Sequence, residues 1–345
     1  MGTRASAGTP STTSPRPSGN ANAVAALLLV LVTLAACVAC TTASDVPPLP
    51  RPAPSPVAPA PTAPARPAVG PEGLSARIEA FLGASRWGRY DRVSAVVVRV
   101  DGRTVVDRRR PGPPEQRREV TGFTSAVLVA LVGVLLDRGE LGAEGLRGVR
   151  RPVAELLPPS VPAPLPEPLA AVAATPLHEV LVGTSGDDTA AIAALLTAAT
   201  GRPVPDLARE LLFDPLGVDP PWTGSGPAVT AQEMAAVAEL WLDHGAVDGR
   251  QVVPARWMDA ATRPYAETGR RTLPYAGYRQ WLTRVDRHAA VVLTGEECQI
   301  VEVVPRLELV VVVGCDEDPT PDVAIPASSE AFLELVASTV VPALG

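Results

Sequence analysis

The stretch that decides the fold is residues 119–141, EVTGFTSAVLVALVGVLLDRGEL. A short polar segment, Thr121 to Ser125, leads directly into an apolar run that ends at Arg138-Gly139. The length of the run and the glycine after it predict one long helix. Enzymes often hold a nucleophile at the mouth of such a helix, because backbone N–H groups there stabilise a developing oxyanion. In this chain that position carries Gly122.

The segments around this helix predict mixed α and β structure. Two strands, 94–100 and 104–108, are joined by Asp101-Gly102, which is a strong hairpin signal. We predict an α+β fold in which both ends of the chain build one antiparallel sheet, flanked by helices, with an all-helical insertion (about 123–265) between its two parts. The predicted helices are 74–84, 123–138, 176–182, 188–200, 204–213, 230–244, 254–262 and 328–344, and the later strands are 277–284, 288–294, 298–304 and 308–314.

The N-terminus predicts export rather than folding. The apolar run Ala23 to Ala36 is too short for a membrane span and is followed at once by Cys37. It resembles a bacterial lipoprotein signal (residues 1–36), in which Cys37 is lipidated and becomes the first mature residue; an ordinary cleaved signal peptide is the alternative. We therefore expect a lipoprotein on the outer face of the cytoplasmic membrane. Residues 37–72 form a Pro/Ala-rich extended tether, and the domain spans 73–345.

The composition excludes several functions. The net charge is −7, so nucleic acid is not an expected partner. All 30 basic residues are arginine, which closes every mechanism that needs a lysine amine. The three histidines lack the spacing of a zinc site. We expect neither a metal nor a cofactor.

Two cysteines of the domain, Cys298 and Cys315, flank the strand-like runs around Pro305-Arg306-Leu307. A hairpin centred between Arg306 and Leu307 would place the cysteines directly opposite each other, within disulfide range. We expect them to be bonded in an oxidising compartment. A register slip of one residue would put them on opposite faces.

The order of these signals resembles the serine β-lactamase and penicillin-binding superfamily, and more narrowly its class C-like branch of esterases and 6-aminohexanoate-dimer hydrolases. The resemblance covers roughly Val93 to Asp316 and implies the fold of that superfamily. It rests on five stretches besides the opening helix, in chain order: TPLHEVLVGTSG, TAAIAALLTAATGRPVPDLARELLFDPLGV, AVDGRQVVPARWMDAATRP, AGYRQWL and TGEECQIVEVVPRLELVVVV.

The first catalytic motif implied by the resemblance is missing. The superfamily carries Ser-x-x-Lys at the start of this helix, where the lysine amine activates the serine hydroxyl. The alignment places Gly122 at the serine position and Ser125 at the lysine position. Gly122 has no attacking atom, and Ser125 has no basicity.

The other two motifs are degenerate as well. Thr184 takes the position of the catalytic tyrosine and Gly186 that of the following asparagine or serine. In the third motif, a Lys-Thr-Gly or His-Gly-Gly strand, Glu296 and Glu297 replace cationic or neutral residues. An anionic cleft repels β-lactams and peptides with a terminal carboxylate.

We therefore predict a non-catalytic module of this fold, tethered to the membrane, that binds or scaffolds in the cell envelope, with peptidoglycan or an envelope protein as partner by analogy. The alternative is an active serine hydrolase of esterase, amidase or peptidase type that uses a non-standard nucleophile such as Ser125 or Ser185. A third interpretation is a domain on a spacer with no ligand.

Overall fold

An eight-stranded antiparallel sheet forms the centre of the fold. The computed structural model describes residues 70–84, 90–111, 117–183, 186–294, 299–316 and 329–344, which lie in one structural unit, Ala63–Gly345. The strands in chain order are β1 (Val93–Val100), β2 (Arg103–Arg109), β3 (Arg118–Glu119), β4 (Trp222–Thr223), β5 (Gly226–Val229), β6 (Ala246–Val247), β7 (Arg250–Gln251), β8 (Ala266–Glu267), β9 (Tyr275–Ala276), β10 (Trp281–Val285), β11 (His288–Thr294), β12 (Ile300–Val304) and β13 (Leu309–Cys315).

The helices fall into a central group and two terminal groups. In chain order they are α1 (Pro71–Gly83), α2 (Thr121–Asp137), α3 (Leu169–Val172), α4 (Leu177–Val182), α5 (Gly186–Thr200), α6 (Val204–Ala208), α7 (Asp214–Leu216), α8 (Ala231–Ala238), α9 (Ala255–Ala261), α10 (Ser329–Leu335) and α11 (Val341–Leu344). A π-helical turn, Arg209–Phe213, joins α6 to α7, and another, Val336–Val340, joins α10 to α11. Short 3₁₀ turns lie at Gly145–Arg150, Val153–Leu156, Glu239–Trp241 and Pro305–Leu307. Among the described residues, no helix is long and apolar enough to cross a membrane.

Both ends of the domain contribute to the main sheet. Its strand order is β2-β1-β13-β12-β11-β10-β9-β8, so the first strand of the domain pairs with the last. The helices α2 to α9 lie in sequence between the two parts. The predicted α+β architecture is confirmed.

Each face of the sheet packs against a separate layer of helices. Val96 and Val98 of β1 belong to a core shared with α1 and the C-terminal helices. Ala95 and Val97, on the opposite face, belong to the core built around α2. Strands buried on both faces are apolar along their whole length, which explains the valine runs in β1 and β13.

The β12–β13 hairpin has the register on which the disulfide prediction depends. Ile300 pairs with Val313 and Val304 with Leu309, as a hairpin centred between Arg306 and Leu307 requires. Cys315 is buried at the end of β13, whereas Cys298 lies outside the described residues. The disulfide therefore stays a prediction.

One predicted strand begins later than expected. The prediction of a strand over 277–284 is wrong at its start, because β10 begins at Trp281. Arg279 has a left-handed backbone with φ of 56°, and the amide of Gly277 donates to the carbonyl of Gln280 at 2.9 Å. A residue at positive φ interrupts an extended strand, so 277–280 forms a tight turn.

Candidate functional site

The mouth of helix α2 is the position at which the sequence predicts a degenerate catalytic site. The helix begins at Thr121, after the extended residue Val120. Gly122 is half-buried in the first turn. Ser125, one turn later on the same face, is only 4% exposed. Gly122 and Ser125 thus lie on one face of the first turn of α2.

The hydroxyl of Ser125 is tied to a neighbouring helix. Its Oγ lies 3.0 Å from Oγ1 of Thr189 on α5, and either hydroxyl can be the donor. Thr189 is itself 8% exposed. The space that a lysine side chain at position 125 would enter therefore holds a buried pair of hydroxyl groups.

Arg279 completes this polar network from the turn before β10. Its guanidinium donates to Oγ1 of Thr189 and to the carbonyl of Gly183, and its Nη1 lies 3.5 Å from Oδ2 of Asp188. The side chain is 5% exposed. Its backbone is fixed as well, because its amide donates to the carbonyl of Leu181 at 2.9 Å. The left-handed turn thus aims a buried cation at the start of α5.

Burial and charge act on Arg279 in opposite directions. Burial lowers the pKa of the guanidinium, and the nearby carboxylate of Asp188 partly offsets this effect. Arginine nevertheless stays charged at any physiological pH. A cation without a free lone pair cannot accept the proton of a serine hydroxyl. Arg279 therefore supplies charge beside Ser125 but no base.

Strand β5 covers the other side of the helix mouth. Gly226 of β5 lies so close to Thr124 that a Cβ at position 226 would collide with the threonine side chain. Thr124 is 2% exposed, and its hydroxyl has no hydrogen-bond partner among the described residues. β3 pairs with β5, and Glu119 of β3 accepts hydrogen bonds from the amide and hydroxyl of Ser225 at 2.9 and 2.6 Å. The first turn of α2 is thus enclosed by packed protein on this side.

No described base contacts the hydroxyl of Ser125. This hydroxyl contacts that of Thr189, and Thr189 in turn accepts a hydrogen bond from the guanidinium of Arg279. A serine hydroxyl is a poor nucleophile until a base takes its proton. Also within the described residues, no group of three or more His, Cys, Asp or Glu could hold a metal ion.

Most of the remaining predicted site residues lie outside the described part of the chain: Cys37, Thr184, Ser185, Glu296, Glu297 and Cys298. Gly186 is described, as the first residue of α5. The predicted anionic strand and the position of the catalytic tyrosine therefore stay predictions.

The sequence interpretation missed Thr189, which contacts Ser125, and Arg279, which contacts Thr189. Counting back from Thr200-Gly201 also aligns Asp188 and Thr189 with the Asp-Thr that ends the Tyr-Ser-Ser-Gly-Asp-Thr form of the second motif, so this alignment could have indicated them. Arg279 gave no such signal, because AGYRQWL reads as a strand and the direction of its side chain depends on the left-handed turn.

His178, on helix α4, is half-buried. Its Nδ1 lies 3.0 Å from the hydroxyl of Tyr278. Its ring makes edge contacts with Tyr265 and Tyr278, which stack on each other with centroids 4.8 Å apart. Burial raises the pKa of Tyr278. His178 is therefore part of an aromatic cluster.

Comparison with known proteins identifies the fold. No protein-family model and no curated protein matches the sequence. Among solved structures, a class C β-lactamase from Rhodobacter sphaeroides matches with a TM-score of 0.57 at 13% identity, over 79% of this chain and 99% of that one. A penicillin-binding-protein homologue from Caulobacter crescentus gives 0.56 at 15%, over 80% and 99%. EstCE1, a hydrolase with promiscuous acyltransferase activity, gives 0.57 at 12%, over 78% and 99%.

These matches cover the whole domain of each relative, at identities too low to transfer an activity. The chain has the fold of the serine β-lactamases and penicillin-binding proteins. The function of this chain therefore depends on its own residues.

Proposed function

We propose that this chain is a non-catalytic protein of the serine β-lactamase fold, which acts by binding or scaffolding in the cell envelope. The observation that carries the proposal is the contact between Ser125 and Thr189, with the Arg279 guanidinium beside it. In the alignment Ser125 takes the position of the family's base, and the charged group that donates to its partner Thr189 is a guanidinium, which cannot accept a proton. We also propose that the chain is related to the class C-like esterases and 6-aminohexanoate-dimer hydrolases.

The proposed location follows from the N-terminal sequence. Lipidation at Cys37 would fix the chain to the outer face of the cytoplasmic membrane, and the Pro/Ala-rich tether would hold the domain away from it. About 25 extended residues reach up to ~80 Å. Peptidoglycan or an envelope protein is the proposed partner, by analogy with the surroundings in which this fold is used.

Labelling with active-site probes tests the absence of catalysis. The purified protein is incubated with a fluorophosphonate and, separately, with a fluorescent penicillin, and intact mass is measured beside a class C β-lactamase. We expect no stoichiometric adduct, because no described group activates Ser125. An adduct that disappears in Ser125→Ala would make Ser125 a nucleophile, and one that disappears in Ser185→Ala would make Ser185 one. Either result would overturn the proposal.

Restoring the family dyad provides a second test. The double variant Gly122→Ser/Ser125→Lys should not recover hydrolysis, because the alignment leaves the second and third motifs without their functional residues and because a lysine at position 125 has to displace the buried contact between Ser125 and Thr189. Overpacking a buried position of this kind destabilises the folded state. The single variant Gly122→Ser, measured in parallel, should fold and also be inactive. Hydrolysis by the double variant would show that loss of the dyad was the only defect.

A further inference from the structure

A cavity of about 540 Å³ lies at the far end of strand β11 from the site described above. Its floor is formed by two cross-strand pairs of the β10–β11 hairpin, Leu282 with Val291 and Arg284 with Ala289. None of the residues that line the cavity belongs to the network of Ser125, Thr189 and Arg279. The cavity is therefore separate from the mouth of α2, and its role does not depend on whether that site is active.

The inner surface of the cavity is apolar. Trp241 and Met258 also line the cavity, and both are at most 5% exposed. The indole N–H of Trp241 is satisfied by Oε1 of Gln280 at 2.6 Å, so the tryptophan needs no further polar partner. Tyr275, 44% exposed at the rim, is the one exposed large hydrophobic residue of the described chain. A volume of this size suits a small organic ligand.

The charged side chains that line the cavity are cationic. Arg271 and Arg284 both line it, and no aspartate or glutamate is among the residues that form its wall. Within the described residues Arg271 makes no hydrogen bond or ion pair, and Arg284 donates one hydrogen bond, to the carbonyl of Arg287 at 2.9 Å. His244 also lines the cavity, and its Nδ1 lies 2.7 Å from Oδ1 of Asp259. Two guanidinium groups thus stand at an apolar cavity in a protein of net charge −7.

We propose that this cavity binds a single-chain amphiphilic anion, an acyl or aromatic body that ends in a carboxylate or a phosphate. The apolar body would lie on Leu282, Val291 and Trp241. The anionic end would meet Arg271 and Arg284, because guanidinium groups bind carboxylates and phosphates through paired N–H donors. The proposed ligand is a free monomeric amphiphile, not the surface of a membrane.

Calorimetric titration with matched probes tests the anionic end. The full chain carrying Cys37→Ser is titrated with dodecanoate and dodecyl phosphate, each below its micelle concentration, and with dodecanol. We expect saturable one-to-one binding of the two anions and binding of dodecanol weaker by about tenfold, the value of one charge-assisted contact. Equal affinity for dodecanoate and dodecanol would overturn the proposal, as would absence of saturable binding.

Two variants and a control assign the site. Arg271→Gln/Arg284→Gln should reduce dodecanoate binding to the level of dodecanol, and Arg103→Gln, an exposed arginine on β2, should leave it unchanged. Ala289 is exposed on the cavity floor, so Ala289→Trp should abolish binding without loss of thermal stability. Binding that survives Ala289→Trp would place the ligand elsewhere and refute the proposal.

A vesicle experiment distinguishes the source of the anion. The same chain is sedimented with phosphatidylglycerol vesicles and with phosphatidylcholine vesicles. We expect neither to retain the protein, because the cavity holds one chain and not a bilayer surface. Retention by phosphatidylglycerol vesicles without binding of monomeric dodecanoate would assign Arg271 and Arg284 to a membrane surface and overturn the proposal.

Discussion

Glu302 should make the domain less stable as the pH rises. This residue lies in the middle of β12, between Val292 and Val311 on the neighbouring strands. It is 0% exposed, and neither carboxylate oxygen has a hydrogen-bond partner within the described part of the chain. Burial raises the pKa of Glu302 from 4.5 to about 8. The folded protein therefore holds a proton that the unfolded chain gives up near pH 4.5.

The magnitude follows from proton linkage. Because the folded-state pKa is the higher one, the full stability is present below pH 4.5 and is lost as the pH rises towards 8. The free energy of unfolding falls by ~1.4 kcal/mol per pH unit in that interval, roughly 5 kcal/mol in all. Other groups titrate as well, so the measurable quantity is the difference between the wild-type chain and Glu302→Gln, which cannot ionise.

Guanidinium unfolding at several pH values measures this difference. Tryptophan fluorescence follows the buried Trp257 in chains that carry Cys37→Ser. Between pH 5 and pH 8, the wild type should lose about 4 kcal/mol relative to Glu302→Gln. Glu302→Leu should be the most stable of the three at pH 8, because it also removes an unpaired buried polar group. Glu334→Gln, a change at an exposed carboxylate of α10, serves as the matched control.

The result that would refute this reasoning concerns how the free energy of unfolding changes with pH. If Glu302→Gln and the wild type lose stability in parallel from pH 5 to pH 8, the carboxyl group does not titrate alone in an apolar surrounding. The reasoning from burial would then be wrong, whatever the absolute stabilities are.

Two further results are expected from other parts of the chain. Cys37→Ser should abolish metabolic labelling with an alkyne fatty acid while Cys40→Ser retains it; labelling lost only in Cys40→Ser would move the lipid site. Gly133→Ala should lower the free energy of unfolding by about 2 kcal/mol or more, because the added Cβ would collide with the buried indole of Trp257. The control Gly83→Ala, in open space at the end of α1, should change the free energy of unfolding by less than ~0.5 kcal/mol.

The regular elements were predictable because local pattern and tertiary packing agree in them. The Asp101-Gly102 turn has positive φ at both residues, as the hairpin signal implies. Helix α2 is buried continuously from Phe123 to Leu136, so its apolar sequence matches its surroundings on all sides. The β12–β13 register follows from a turn at Pro305-Arg306-Leu307 that occupies the only break between two apolar runs.

The features that decide chemistry were not predictable in the same way. Glu302 lies in VEVV, where alternation indicates a solvent-facing glutamate, yet this strand is buried on both faces. Arg279 lies in a segment that reads as a strand, and only a left-handed turn directs it to Thr189. The apolar cavity joins residues from six separate stretches between Trp241 and Pro305, and no single stretch carries its signal.

The absence of catalysis that we propose requires no change in the packing of the fold. The resemblance implies a lysine at position 125, which would place a positive charge beside the start of α5. In this chain the charge near that point comes from Arg279, and Asp188 balances it. The two cations differ in the property that matters here, because a lysine amine can exist without its proton when buried, whereas a guanidinium keeps its proton. The network of Ser125, Thr189 and Arg279 can therefore stabilise the junction of α2, α5 and β10 and still leave no base for a nucleophile.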